Sequence, residues 1–363
     1  MRKTEIAVIG GGPAGLMAAL AAAEMGANVT LIDRNSRLGG QLVKQTHMFF
    51  GSEKEYASIR GIDIGRILSA EVLKNPRIET MLDSTVIAYY PDDGVLGVEV
   101  QERTFIKIKP ERVVVATGAS ERFLPFMNND LPGIYGAGAV QTLMNEHGVV
   151  PGENVLMVGA GNIGLIVSYQ LMQAGVNVKA VIDAAPNIGG YWVHASKIAR
   201  LGVPIMTSYT VKAAYPNEMT GALERAVIWQ VDDKWQPIPG TEKVLKVDVM
   251  CIAVGLSPLA EILWQAGCKM KYVPQLGGHV ALRNENMETT VSGIYVAGDV
   301  AGVEEASSAM IEGRLAGLNA AKSLGYDNGS YNEKREEAIK QLASLRSGPV
   351  GEKIRQGLAQ LVS

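Results

Sequence analysis

The sequence predicts an α/β fold made of two similar units, with the second unit inserted in the first. Short apolar runs of strand length alternate with longer helical stretches, as in parallel α/β sheets. One pattern of strand, Gly-x-Gly-x-x-Gly turn, helix and second strand occurs twice, at residues 6–40 and 155–190. After each copy, alternating strands separated by turn residues predict a small antiparallel β-meander.

The composition is that of an ordinary folded globular protein. Of 363 residues, 47% are hydrophobic and 20% are charged, which excludes disorder as the dominant state. The net charge is −3, and no basic run with interleaved aromatic residues suggests nucleic-acid binding. The apolar N-terminal stretch is interrupted by glycines and Glu24, and no apolar run reaches the ~20 residues of a membrane span. We expect a cytoplasmic protein without a membrane span.

The first copy has the residues of a dinucleotide-binding turn. Gly10 allows the tight strand-to-helix turn, Gly12 lets a pyrophosphate approach the backbone, and Gly15 lets helix and strand pack closely. The N-terminus of the following helix presents free N–H groups to the phosphates. Asp33 follows Gly10 by 23 residues, where an acidic side chain accepts hydrogen bonds from the ribose hydroxyls.

The second copy repeats this pattern. Gly159, Gly161 and Gly164 form the turn, and Asp183 follows Gly159 by 24 residues. No lysine or arginine adjoins Asp183, so a 2′-phosphate would meet a carboxylate without a cation. The pattern therefore favours NAD(H) over NADP(H). Alternatively, the second site holds a structural nucleotide or has no function.

Two further motifs extend the pattern: VVVATGAS at 113–120 and TTVSGIYVAGDV at 289–300. With them, residues 4–325 resemble the pyridine-nucleotide-disulfide oxidoreductase superfamily, in which the aspartate of the last motif, here Asp299, binds the ribityl or phosphate region of FAD. The resemblance implies an oxidoreductase with FAD in the first unit and NAD(H) in the second. The helix after Asp299 would direct its positive N-terminus at the flavin, where Glu304 and Glu305 are interpreted as favourable helix-dipole charges.

The motifs and the resemblance together assign a set of cofactor-binding residues. Those expected to bind FAD are Gly10, Gly12, Pro13, Ala14, Gly15, Asp33, Arg34, Gly40, Gln41, Thr117, Gly118, Gly298, Asp299 and Ala306. Those expected to bind NAD(H) are Gly159, Gly161, Asn162, Ile163, Gly164, Asp183 and Gly255.

The implied domain order is discontinuous. Residues 1–123 and 255–325 form an FAD-binding domain, and residues 124–254 form an inserted NAD-binding domain. Each is expected to be a Rossmann-like, three-layer domain with its own meander. Residues 326–363 form a charged helical tail, which is either a solvated terminal helix or a docking helix for a partner.

The cysteines separate this chain from the disulfide reductases of the superfamily. Cys251 and Cys268 are its only cysteines, which excludes a Cys-x-x-Cys pair, an iron–sulfur cluster or a cysteine zinc site within the chain, and no metal is expected. The stretches GGQLVKQTHMFFG and GVEEASSAMIEGRLAG look most like alpha-type subunits of sarcosine oxidase, opine oxidase, hydrogen cyanide synthase and dye-linked proline dehydrogenase. This resemblance implies partner subunits, namely a second flavoprotein and an iron–sulfur protein.

The resemblance thus implies the electron-transfer subunit of a heteromeric amine or imino-acid dehydrogenase acting on proline, hydroxyproline or a sarcosine-like substrate. Two alternatives stay open: a stand-alone NADH-dependent reductase of a ferredoxin, quinone or similar acceptor, and a nucleotide-holding structural subunit without turnover. Hydride transfer between nicotinamide and flavin needs stacking and distance rather than an acid or base. No catalytic residue is therefore assigned; Lys44 and His47 are weak candidates, for which a loop or packing role is favoured.

Overall fold

The computed structural model describes residues 1–349 and 351–361 and contains two compact units. Unit 1 comprises residues 1–120 and 257–363, and unit 2 comprises residues 121–256. Both are mixed α/β units, so the predicted fold class is confirmed. The assignment of one cofactor to each unit stays a prediction.

The strands are β1 (Arg2–Ile9), β2 (Val29–Ile32), β3 (Ile78–Met81), β4 (Ser84–Tyr90), β5 (Val95–Val100), β6 (Thr104–Val115), β7 (Ala119–Glu121), β8 (Ile134–Gly136), β9 (Asn154–Val158), β10 (Asn177–Asp183), β11 (Ile205–Thr207), β12 (Tyr209–Pro216), β13 (Leu223–Gln230), β14 (Lys243–Lys246), β15 (Val249–Ile252), β16 (Leu256–Pro258), β17 (Met270–Val273), β18 (Gly278–Ala281) and β19 (Ile294–Val296). The helices are α1 (Pro13–Glu24), α2 (Gly61–Lys74), α3 (Ala137–His147), α4 (Asn162–Gln173), α5 (Trp192–Arg200), α6 (Glu261–Gln265), α7 (Ala306–Ser323), α8 (Tyr331–Leu345) and α9 (Glu352–Leu358).

The main sheet of unit 1 has the order β3-β2-β1-β6-β5-β4, with β19 also pairing with β6. Strands β3, β2, β1, β6 and β19 are parallel. Strand β5 runs antiparallel to both of its neighbours, β4 and β6. The predicted meander therefore exists, but it continues the parallel sheet instead of forming a separate layer.

This continuity comes from β6. The sequence of this segment suggests two strands, whereas the structure has one. Its first part, residues 104–108, pairs with β5, and its last part, residues 113–115, pairs with β19. Pro110 lies between these two pairings and opposite Thr4 of β1, in the part of β6 that pairs with neither β5 nor β19. One strand can thus belong to the meander at one end and to the nucleotide-binding sheet at the other.

Helices α1 and α7 of unit 1 pack closely because small residues line their contact. A Cβ atom built on Gly313 would lie 2.0 Å from the carbonyl oxygen of Ala14, and one on Gly317 would lie 2.2 Å from that of Ala18. Only glycine allows the two backbones to approach this closely. The contact fixes the start of α1, where the sequence predicts FAD contacts, beside the middle of α7.

In unit 2 a parallel sheet has the order β11-β10-β9-β15-β8, and β12-β13-β14 form a separate antiparallel sheet. The apolar run at 243–254 is interrupted between β14 and β15, unlike β6 of unit 1. Asp248 lies in the interruption and accepts hydrogen bonds from the backbone N–H groups of Glu153 (2.9 Å) and Asn154 (2.7 Å). The bend lets β15 leave the meander and join the parallel sheet.

The C-terminal tail belongs to unit 1. Ala338 and Leu342 of α8 are buried in its main core, and Leu361 packs in a smaller apolar cluster with Val273 and Leu276. A Cβ on Gly357 would lie 2.8 Å from the Leu276 side chain. The apolar face of α8 thus packs against unit 1 itself, and the two predicted roles of the tail, a solvated terminal helix or a docking helix, stay predictions. Within the described residues, no helix combines the length and apolar character needed to cross a bilayer.

Candidate nucleotide-binding sites

The glycine-rich turn of unit 1 uses its three glycines in different ways. A Cβ atom on Gly10, whose φ is +106°, would lie 2.3 Å from the Ala116 carbonyl oxygen, and one on Gly15 would lie 1.7 Å from that of Gly10. These two glycines are therefore required by the fold. A Cβ on Gly12 would meet nothing closer than the Gly40 Cα atom at 3.9 Å. The structure thus leaves open space beside Gly12 at the N-terminus of α1.

The turn of unit 2 repeats this geometry. A Cβ on Gly159 would lie 2.2 Å from the Ala253 carbonyl oxygen, and one on Gly164 would lie 2.0 Å from that of Gly159. A Cβ on Gly161 would have no neighbour within 4 Å among the described residues. Each unit therefore has two glycines needed for packing and a middle glycine that faces open space.

Asp33 and Asp183 hold the two turns in the same way. An Asp33 carboxylate oxygen accepts a hydrogen bond from Gly11 N at 2.5 Å, and an Asp183 oxygen accepts one from Ala160 N at 2.7 Å. The second Asp33 oxygen accepts from the backbone and side-chain nitrogens of Asn35, at 2.7 and 2.9 Å. These bonds use most of the roughly four acceptor positions of a carboxylate. Asp33 would then have room for about one further donor, such as a ribose hydroxyl.

The glycine pair that follows each aspartate returns to the turn. A Cβ on Gly40 would lie 2.6 Å from the Gly12 Cα atom, and one on Gly190 would lie 2.8 Å from the Gly161 carbonyl carbon. In unit 2 the Asn162 side chain accepts a hydrogen bond from Tyr191 N at 2.8 Å, which fastens this return. Among the residues predicted to bind FAD, Arg34 and Gln41 are exposed. Pro13 is the first residue of α1. Ile163, at the start of α4, is 40% exposed.

Thr117 and Gly118 connect the first segment of unit 1 to the returning chain. The Thr117 hydroxyl donates to the Leu259 carbonyl oxygen at 2.7 Å, and Leu259 N donates to the Gly118 carbonyl oxygen at 3.0 Å. Gly118 has a φ of +79°. Gly255, at the corresponding place in unit 2, has a φ of +119°, and its carbonyl oxygen accepts from Arg122 N at 3.0 Å.

Gly298 and Asp299 lie beside the start of α1. A Cβ on Gly298 would lie 2.8 Å from the Ala14 Cβ atom, and Gly298 N donates to the Glu312 carboxylate at 2.9 Å. Asp299 accepts a long hydrogen bond of 3.4 Å from Glu304 N. Burial raises the pKa of Asp299 to about 7, the hydrogen bond from the Glu304 N–H group lowers it, and the charges of Glu312, Glu304 and Glu305 add to the rise. Asp299 is thus a carboxylate in need of a better donor, such as a ribityl hydroxyl.

The structure changes the interpretation of Glu304. From the sequence, Glu304 and Glu305 are predicted to be favourable charges at the helix N-terminus. Helix α7 does begin at Ala306, with Glu305 as its exposed N-cap residue. The Glu304 side chain is only 7% exposed and pairs with Arg346 through two hydrogen bonds of 3.0 and 2.6 Å. Its role is therefore a buried ion pair, which the local sequence does not reveal.

Neither weak catalytic candidate has a geometry that indicates catalysis. Lys44 is buried at the end of the 3-10 turn Gly40–Lys44, and the His47 ring stacks at 5.8 Å from Phe49.

Cys251 is fully buried, and burial raises the pKa of its thiol. The Cys268 Sγ donates a hydrogen bond to the Thr289 hydroxyl at 3.3 Å. Within residues 1–349 and 351–361, no cluster of His, Cys, Asp or Glu side chains could hold a metal ion.

The residues of unit 1 fit the phosphate and ribityl portions of FAD. Four separate segments converge there, because Gly10 lies next to Ala116, Gly12 next to Gly40, and Ala14 next to Gly298. The open space at Gly12 can admit a pyrophosphate next to the backbone, and the Asp299 carboxylate can accept from a hydroxyl. The corresponding space at Gly161 of unit 2 fits a dinucleotide for the same reason.

Sequence reasoning missed the charged side chains beneath the Gly298–Asp299 turn, namely Arg283, Glu312 and Arg346. The Glu312 carboxylate is 3% exposed, and Arg283 and Arg346 both pair with it, at 3.4 and 2.6 Å. One signal was available, since Glu312 is a lone carboxylate within the small and apolar stretch ASSAMIEGRLAG. A carboxylate at a buried helical position requires a charged or hydrogen-bonding partner.

Comparisons with known proteins agree with this architecture. One opine oxidase subunit from Rhizobium meliloti is 25% identical over 347 residues, covering 88% of this chain and 63% of the relative. The alpha subunit of sarcosine oxidase from Corynebacterium sp. (strain P-1) is 28% identical over 332 residues, covering 89% of this chain and 33% of the relative. This chain therefore spans about two thirds and one third of these relatives' lengths.

Among solved structures, L-proline dehydrogenase from P. horikoshii superposes with a TM-score of 0.68 and 24% identity, covering 92% of this chain and 59% of the other. That likeness concerns the fold. The resemblance to the alpha-type subunits predicted from the sequence is confirmed by the named relatives. The family model described as pyridine nucleotide-disulphide oxidoreductase matches residues 4–313, and the chain belongs to that oxidoreductase family.

Proposed function

We propose that this chain is an FAD-dependent oxidoreductase that serves as the nucleotide-binding electron-transfer subunit of a heteromeric amine or imino-acid dehydrogenase. FAD would bind to unit 1, and NAD(H) would bind to unit 2. The observation that carries the proposal is the repeated cradle. In each unit an open middle glycine, Gly12 or Gly161, lies beside a turn whose backbone N–H is held by an aspartate, Asp33 or Asp183.

The residues of unit 1 would bind and orient the flavin cofactor, which supplies hydride and electron transfer when bound. The free N–H groups at the start of α1 would face the pyrophosphate beside Gly12. Asp33 would accept from the adenosine ribose, and Asp299 from the ribityl chain. Gly298, Gly118 and Thr117 would keep the adjoining backbone close to the cofactor.

Unit 2 would bind NAD(H) through the corresponding residues. Gly161, Asn162, Ile163 and Gly164 form the start of α4, and Asp183 would accept from the ribose. The Asp183 carboxylate accepts from Ala160 N and Ala185 N, at 2.7 and 2.9 Å, and no cation is among these partners. A negative charge at this position favours a ribose diol over a 2′-phosphate.

The chain would not act as a disulfide reductase, because its cysteines cannot form the required redox pair. Cys251 and Cys268 are both free, and each is buried. Burial raises the pKa of both thiols, which disfavours the nucleophilic thiolate. Electrons from the flavin would therefore pass to NAD or to a centre on another polypeptide.

Partner subunits follow from the relatives, both of which are named as oxidase subunits. The partners would include a second flavoprotein that oxidises the amine and an iron–sulfur protein. A native mass measurement on the protein purified from its source tests this part. A complex with stoichiometric partner chains is expected, and a stable, fully active monomer would contradict it.

The cofactor assignment is tested by anaerobic titration of the purified chain with NADH. We expect a flavin absorption band that bleaches as NADH is added and reaches saturation. A chain that contains no flavin, and takes up none after unfolding and refolding with FAD, would refute the proposal.

The same titration distinguishes the alternatives. Multiple turnovers with NADH and a ferredoxin or quinone by the chain alone would favour a stand-alone reductase. A bound adenine nucleotide together with a flavin that NADH never reduces would favour a nucleotide-holding subunit.

A further inference from the structure

A buried network of charged side chains connects the C-terminal tail to the candidate flavin site. Arg346, directly after α8, forms a bidentate ion pair with the Glu304 carboxylate, with hydrogen bonds of 2.6 and 3.0 Å. The same guanidinium contacts a Glu312 carboxylate oxygen at 2.6 Å. The side chains of Arg346, Glu304 and Glu312 are 14%, 7% and 3% exposed. Tail and site are thus joined by charges that water largely does not screen.

Two residues of the network contact the Gly298–Asp299 turn, Glu312 through its carboxylate and Glu304 through its backbone N–H. The other oxygen of Glu312 accepts a hydrogen bond from Gly298 N at 2.9 Å. The backbone N–H of Glu304 donates to the Asp299 carboxylate at 3.4 Å. A change in the position or charge of Glu304 or Glu312 would therefore act directly on the backbone that is expected to contact the flavin.

Arg346 supplies much of the positive charge that these carboxylates need. Arg283 is the other cation of the network, but it lies 3.4 Å from Glu312 and donates its shorter bond, 2.7 Å, to the Ala301 carbonyl oxygen. Burial and the charge of Glu312 raise the pKa of Glu304, and Arg346 opposes that rise. Without Arg346, two buried carboxylates would lie close to Asp299 with Arg283, 3.4 Å from Glu312, as the remaining cation of the network.

The tail is held in place independently of Arg346. Leu342 of α8 is buried in the unit 1 core, and Glu337 pairs with Lys54 at 2.5 Å and with Arg314 at 3.5 Å. Arg335 of the same helix donates two hydrogen bonds to the Asn286 side chain, at 3.0 and 2.8 Å. Removing the Arg346 charge would thus leave α8 attached, and its electrostatic effect can be measured.

We propose that Arg346 is a positioning residue for the flavin. It balances the Glu304 and Glu312 carboxylates beneath the Gly298–Asp299 turn, and so sets both the geometry of that turn and the charge that the bound flavin experiences. The inference rests on the proposed function, because it requires FAD in unit 1. It gives the tail a defined role in cofactor binding beyond that of a docking helix.

The test measures the flavin midpoint potential and the FAD dissociation constant of the wild type and four variants, the fourth being the charge-conserving Arg346→Lys. Arg346→Gln removes the positive charge, Glu304→Gln removes a negative charge from the same pair, and Arg335→Gln is the matched control on α8. Because reduction adds negative charge, Arg346→Gln should shift the potential to a more negative value and Glu304→Gln to a more positive value.

A unit charge acting over about 10 Å at an effective dielectric constant of about 20 changes an equilibrium roughly tenfold. We therefore expect Arg346→Gln to weaken FAD binding about tenfold and to disfavour flavin reduction by a similar factor, which is about 30 mV for a two-electron couple. Arg335→Gln should leave both quantities at the wild-type value. Arg346→Lys keeps the charge and should restore most of the potential.

Each outcome supports or overturns the inference. Shifts of opposite sign in Arg346→Gln and Glu304→Gln support it, since a purely structural defect would not reverse sign with charge. If Arg346→Gln does not fold, an unchanged potential in Glu304→Gln overturns the proposal, as does a potential in Arg346→Lys that shifts although the charge is kept. Equal potentials and FAD affinities in Arg346→Gln and Arg335→Gln also overturn it. A wild-type chain without flavin would instead refute the proposed function, so the two failures can be told apart.

Discussion

Substitution of Gly12 by alanine separates a glycine needed by the cofactor from glycines needed by the fold. The backbone of Gly12 has φ −77° and ψ −175°, an extended conformation that alanine adopts readily. The new Cβ atom would lie 3.9 Å from the Gly40 Cα atom, which is an ordinary contact distance. The structure of the polypeptide itself therefore accepts this substitution.

The magnitudes follow from these contacts. Replacing an N-cap glycine by alanine should change the free energy of unfolding by less than about 1 kcal/mol. The added methyl group would occupy the space of the pyrophosphate, and such overpacking costs about 1–3 kcal/mol. FAD binding should therefore weaken about 5- to 150-fold. Gly15→Ala would place a Cβ atom 1.7 Å from the Gly10 carbonyl oxygen and should destabilise the fold by about 3 kcal/mol or more.

FAD affinity is measured by titrating the flavin-free protein with FAD. Stability is measured by urea unfolding of the same protein without FAD. Gly161→Ala is the matched control, because it makes the same change in unit 2, where a Cβ has no neighbour within 4 Å among the described residues. It should weaken NAD(H) binding and leave FAD binding unchanged. The reasoning would be refuted if Gly12→Ala lost its fold or if it bound FAD with wild-type affinity. It would also be refuted if both variants lost both nucleotides equally.

Three further predictions concern packing, chemistry and pH. Gly313→Val should destabilise the flavin-free chain by roughly 2–4 kcal/mol in urea unfolding, because its Cβ would enter the backbone of α1; a wild-type midpoint would contradict this. A variant with Cys251 and Cys268 both replaced by alanine should keep NADH-dependent flavin reduction, measured by stopped flow, whereas its loss would show that a thiol participates. Asp299 has a pKa raised from 3.8 to about 7 in the folded chain, so its contribution to stability falls as pH rises between these values and is level above them. Asp299→Asn should remove this part of the slope in unfolding free energy between pH 5 and 8, and parallel wild-type and variant curves would contradict the assigned pKa.

The two glycine-rich turns and the order of the units can be read from the sequence alone. The reason is that a turn such as Gly10–Gly15 is a local structure, set by residues without side chains and by an apolar strand and helix on either side. The aspartate at the end of the second strand is also found by counting, because strand, turn and helix lengths vary little. The meander of unit 1 was predicted from alternation, but its fusion with the parallel sheet through β6 was not, since β1 and β19, which pair with the last part of β6, are distant from it in sequence.

Which of the charged side chains are buried depends on the tertiary structure. A sequence pattern shows that Glu304, Glu312 and Arg346 are charged, but the carboxylates and the guanidinium meet across 34 to 42 positions of sequence. Whether a charged helix lies in solvent or packs on the core depends on apolar contacts such as that of Leu342, which are formed by the whole of unit 1. Burial and ion pairing are properties of the assembled chain, because the cost of desolvating a charge depends on every group that surrounds it.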